Sequence, residues 1–119
     1  MTKLLDNVTI DEVRPSPGEF SSEDWCFIQL GGLDGTLILT RRSLGRLIAS
    51  LELNSDFPVP RSGDGWTLTP KYMQDFNGNL ADPTVQLEIG FRGLYIRFSL
   101  TSKECRELSE RLIKELSSH

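Results

Sequence analysis

The chain has 119 residues, a formal net charge of −4, 38% hydrophobic and 25% charged residues, and a single histidine. These values fit one soluble globular domain with room for a core and exclude a disordered chain. No apolar run reaches the roughly 20 residues of a membrane-spanning helix, and the acidic balance argues against general nucleic-acid binding, which needs clustered Lys and Arg.

In chain order, residues 4–13 read as a strand: Val8 and Ile10 alternate with Asn7, Thr9 and Asp11, and Leu4 and Leu5 anchor it. The stretch lacks the apolar centre of a secretion signal, so a cytoplasmic location is expected. Arg14 to Asp24 holds Pro15, Pro17, Gly18 and three serines, which is loop chemistry, and it ends in the acidic group Glu19, Glu23 and Asp24.

Residues 25–53 form a first strand–strand–helix unit. Trp25 to Leu30 has aromatic and β-branched strand content. Gly31-Gly32 interrupts it, Asp34-Gly35 signals a hairpin turn, and Thr36 to Leu39 returns. Thr40 suits a helix cap, and Leu44, Leu47, Ile48 and Leu51 recur at helical spacing. Gly45 inside that helix costs about 1 kcal/mol relative to Ala, so a close neighbour is expected there.

Residues 54–83 read as a long loop. The segment carries four of the six prolines and the Asn77-Gly78 turn signal, with a short strand possible at 66–69 and a strand or one helical turn at 71–76. It also holds Trp66, Tyr72 and Phe76, aromatic residues of the kind that anchor protein contacts.

Residues 84–116 form a second strand–strand–helix unit and the clearest pattern in the chain. Val85, Leu87, Ile89 and Phe91 alternate with polar residues or glycine, and so do Leu94, Ile96, Phe98 and Leu100. A two-residue turn at Arg92-Gly93 pairs Phe91 with Leu94, Ile89 with Ile96, Leu87 with Phe98 and Val85 with Leu100. A slip of one residue would oppose polar to apolar throughout. On the other face Glu88 meets Arg97 and Tyr95 covers Gly90. Thr101 and Glu104 fit a capping box. Cys105, Leu108, Leu112 and Leu116, with Ile113 beside them, form the stripe that should lie on the apolar face of the hairpin. The two units together predict an α+β domain: a mainly antiparallel sheet of four to six strands with both helices on one face.

Catalytic chemistry is sparse. His119 stands alone, so no Ser-His or Cys-His pair forms in the interior of the chain. Cys26 and Cys105 make no metal pattern and are expected as buried thiols, with a bridge between them left open by spacing. Asp75, Asn77 and Asn79 have the alternate oxygen spacing of a calcium loop, but Leu80 stands at its sixth position and Gln86 at its twelfth. No metal and no cofactor is expected. The expected function is therefore that of a non-catalytic, protein-binding module, similar in size and charge to small inhibitors, immunity proteins and anti-defence proteins. Trp66, Tyr72 and Phe76 would be its anchors, and Glu19, Glu23 and Asp24 would steer it to a basic partner. One alternative is nucleic-acid association through Arg41, Arg42, Arg46 and Arg61. A small-ligand domain is a second, and homodimerisation through a sheet edge or the 66–76 region fits the same pattern.

Overall fold

The computed structural model describes residues 3–15, 24–53, 66–74, 77, 80–91 and 93–119. A single 3-10 turn at Lys3–Leu5 precedes strand β1 (Val8–Pro15), followed by β2 (Asp24–Leu30) and β3 (Leu37–Thr40). Helix α1 (Arg41–Leu53) comes next. Then come β4 (Trp66–Gln74), β5 (Leu80–Phe91), β6 (Leu94–Leu100) and helix α2 (Ser102–Ser117).

The expected α+β class and antiparallel pairing hold. The single sheet does not: the strands form two antiparallel sheets, ordered β1-β2-β3 and β4-β5-β6. β3 is only four residues long, because the Ser43 amide donates to the Thr40 hydroxyl at 3.1 Å and the chain turns there into α1. β3 comes near β4 but makes no ladder with it among the described residues. Nor do both helices lie on one face of one sheet. α1 packs on β2, β3 and β4, α2 packs on β1, β5 and β6, and the helices pack on each other. Each helix thus touches both sheets, and the buried side chains of all these elements join in one core cluster.

In the first sheet, β1 pairs with β2 from Val8–Leu30 to Pro15–Asp24, with a bulge at Asp11 between Ile10 and Glu12. Leu4 and Leu5 are buried, as their anchoring role requires. The Gly31 amide donates to the Leu4 carbonyl at 3.2 Å, tying the 3-10 turn to the end of β2. The contact is close enough that a Cβ on Gly31 would fall on the Lys3 carbonyl oxygen. Gly32, at φ 84°, sits against the Phe98 ring.

In the second sheet, the β5–β6 register is the one the alternation predicts, from Phe91–Leu94 to Val85–Leu100. The Arg97 guanidinium meets the Glu88 carboxylate at 2.9 Å. The segment read as a long loop contains β4 and the start of β5, with Tyr72 opposite Val85 and a bulge between Tyr72 and Gln74. Pro70 is accommodated because β4 is the outer strand. Pro83 lies before Val85, where β6 joins the ladder.

The Thr101–Glu104 capping box is complete, each side chain bonded to the other's amide at 3.2 Å; such a cap contributes about 1 kcal/mol. Cys105, Leu108 and Leu112 are buried, Leu116 is half-buried and Ile113 is exposed. The helix does not cover the whole hairpin. Its strongest packing is on α1 and β1, and the distal end of β6 is left bare. The molecule is correspondingly long, 48 × 25 × 24 Å.

Candidate functional site

The bare end of β6 is the most distinctive surface of the described structure. Along the apolar row, Leu100 is buried and Phe98 is half-buried beneath Gly32. Ile96 is 47% exposed and Leu94 75% exposed. Tyr95, on the other face, is 60% exposed. Opposite Ile96 on β5, Ile89 is buried, so at this pair the loss of cover belongs to the edge strand. β6 has β5 as its one ladder neighbour among the described residues. Its outer side therefore presents backbone donors and acceptors beside three consecutive large apolar side chains.

By alternation Leu94 and Ile96 belong to the apolar face that α2 should cover, and Tyr95 covers Gly90 on the other face. Periodicity states which face a residue occupies, not how far the covering helix extends. The available signal was the run Leu94-Tyr95-Ile96 itself, apolar on both faces and next to a turn.

The expected anchors are placed only in part. Trp66 and Tyr72 stand in β4, opposite Phe91 and Val85. Val85, Leu87 and Ile89 in that register row of β5 are buried. Phe76, Glu19, Glu23 and Arg61 lie outside the described residues. Asp24 is described, and its carboxylate holds the Arg41 guanidinium at 3.0 Å with both side chains about 40% exposed. An acid expected to steer a basic partner and an arginine expected to meet phosphate thus compensate each other. Arg42 and Arg46 also have interaction partners. Nearby, Arg14 lies 4.3 Å over the Phe27 ring and 3.7 Å from Glu12. This end of the first sheet is a mixed-charge surface rather than a basic patch.

An open polar depression of about 300 Å³ lies between the start of β1 and α2. It is lined by Asp6, Asn7, Val8, Arg111, Lys114 and Glu115. Arg111 donates to the Leu5 carbonyl there. Two acids and two bases line one hollow, so its field favours neither anion nor cation. His119 has its Nε2 2.6 Å from the Ile10 carbonyl oxygen. A carbonyl only accepts, so that nitrogen carries the proton.

Cys26 and Cys105 are both buried and no disulfide joins them, which answers the bridge left open by spacing. Burial pushes the Cys26 thiol above its ordinary pKa, Arg41 draws it partly back, and Asp24 adds to the rise. A thiol held protonated and out of water is a poor nucleophile. Among the described residues no group of three His, Cys, Asp or Glu is placed to hold a metal ion, and no helix is long and apolar enough to cross a membrane. No family model, curated protein or solved structure matches the chain.

Proposed function

We propose that this chain is a non-catalytic, protein-binding module that docks another polypeptide along the open edge of β6. The observation that carries this reading is the exposure of Leu94, Tyr95 and Ile96 on a strand whose outer side is unladdered among the described residues. Edge strands of monomeric proteins are ordinarily blunted by Lys, Pro or bulges. β6 carries one cation, Arg97, and Glu88 holds it. Strand addition gains affinity from main-chain bonds and selectivity from alternate side chains, and this edge offers both. The Asp24–Arg41 pair weakens the case for an arginine patch acting on nucleic acid.

The test compares the wild-type chain with a Leu94→Lys, Ile96→Lys double variant. Both positions are exposed, so the thermal melt should move little. A polypeptide bound in fixed ratio by the wild type and lost by the variant supports the reading. Binding that is indifferent to the substitutions, with both proteins folded, refutes it.

A further inference from the structure

We infer that the polypeptide docked on β6 is a second copy of this chain, paired antiparallel about a two-fold axis through Ile96. The inference rests on the edge being a docking surface, as proposed above, and goes further by naming the occupant.

In a two-residue hairpin the residues that flank the turn exchange hydrogen bonds. Phe91 and Leu94 flank this one. Leu94, Ile96 and Phe98 therefore bond toward β5, while Tyr95 and Arg97 direct their amides and carbonyls outward. A two-fold axis at Ile96 sets Tyr95 against the partner's Arg97, and Arg97 against the partner's Tyr95. Each of these pairs is of the kind that exchanges two backbone bonds.

The side chains agree with the same register. On the apolar face Ile96 meets its own copy, and Leu94 meets the partner's Phe98. The row across the dimer then reads Ile89, Ile96, Ile96, Ile89, apolar from sheet to sheet. On the other face the Tyr95 ring meets the partner's Arg97 guanidinium, a cation over an aromatic ring. Arg97 is already compensated by Glu88 at 2.9 Å, so the contact gathers no bare charge. Neighbouring registers lack this match. Moving the axis to Arg97 opposes two guanidinium groups. Moving it to Tyr95 sets Arg97 against Gly93 and loses both cation–aromatic pairs. The product is one six-stranded sheet in the order β4-β5-β6-β6-β5-β4, in which neither copy of β6 remains an edge. Contact through one short strand makes a weak dimer, with Kd on the order of tens of micromolar.

Sedimentation equilibrium between about 1 and 500 µM tests this. The wild type should pass from monomer to dimer across that range, and Ile96→Lys, which brings two cations together on the axis, should weaken dimerisation at least tenfold. Ile96→Cys reads the register. Its two copies would face each other at a non-hydrogen-bonded pair, close enough to bridge, while Cys26 and Cys105 are buried. Oxidised glutathione should convert Ile96→Cys to a covalent dimer and leave a Glu110→Cys control on α2 monomeric. A wild type that stays monomeric throughout, with no covalent dimer of Ile96→Cys, overturns the second copy. If edge-dependent binding of a different polypeptide survives that result, the docking surface stands and the identity of its occupant changes. If no binding depends on the edge, both fall.

Discussion

Replacing Gly45 by Ala should stabilise the protein, and the size of the effect follows from the surroundings of the residue. Gly45 is exposed in the middle of α1. Its backbone is not in the left-handed region, and a methyl group on its Cα would meet nothing within 4 Å. No steric cost offsets the gain in helix propensity, which is about 0.8–1 kcal/mol for Gly to Ala. An unfolding entropy of roughly 2.1 cal/mol/K per residue gives about 250 cal/mol/K for a chain of this length, so Tm should rise by about 3–4 °C. Thr101→Ala provides the opposite sign. It removes the cap on α2 and should lower Tm by a similar amount, at a cost of about 1 kcal/mol. The two residues lie on different helices and share no bond, so the double variant should melt close to wild type, within about 0.5 kcal/mol of the sum. The assay is thermal unfolding followed by circular dichroism, with calorimetry to test two-state behaviour. A lower or unchanged Tm for Gly45→Ala would refute the reasoning and reinstate the close neighbour that the glycine suggests in the sequence.

Gly31→Ala should act in the other direction. Its methyl group lands on the Lys3 carbonyl oxygen, a backbone atom that cannot swing aside. A loss of about 2 kcal/mol or more in urea unfolding is expected, and a loss below about 0.5 kcal/mol would show that the 3-10 turn moves freely. Cys26 predicts a pH dependence. Its folded pKa is raised by burial, so above the ordinary thiol pKa the unfolded chain has released a proton that the folded chain retains. The stabilising contribution is complete below about pH 8.5 and declines as pH rises beyond it, by at most about 1.4 kcal/mol per pH unit. Urea melts from pH 7 to 10 should fall more steeply for wild type than for Cys26→Ala, and parallel slopes would exclude the thiol as the source.

How much of this was legible in the residues depends on the range of the interaction involved. The β5–β6 register was fully legible, because four apolar pairs and a two-residue turn admit one alignment. The capping box at Thr101 and Glu104 was legible too, since it lies within four residues. The split into two sheets was not. It turns on whether β3 ladders with β4, a contact between segments far apart in the chain on which local periodicity is silent. The bare end of β6 was missed for a related reason: Leu94 and Ile96 share the face of Phe98 and Leu100, but the direction in which α2 leaves Thr101 decides which of them it covers. The strand character of 66–69 and 71–74 was partly legible, though Pro70 between them reads as a breaker until β4 is known to be an outer strand, and that of 80–83 was hidden by Pro83, since β6 joins only at Val85. The candidate docking edge was thus hidden inside the best-read element of the chain, while Asp24 and Arg41, expected on opposing functional surfaces, neutralise each other.

The packing of α2 on β1 also bears on how the protein is made. The Arg111 bond to the Leu5 carbonyl and the His119 bond to the Ile10 carbonyl join positions 106 and 109 residues apart. Residues 4–10 therefore leave the ribosome long before the helix that covers them exists. At about 5–20 residues per second the wait is roughly 5–20 seconds. Through that interval Leu4, Leu5, Val8 and Ile10 have no permanent cover from α2. The apolar segment at residues 4–10 is a natural site for chaperone attention, and a chain halted before residue 102 retains that need.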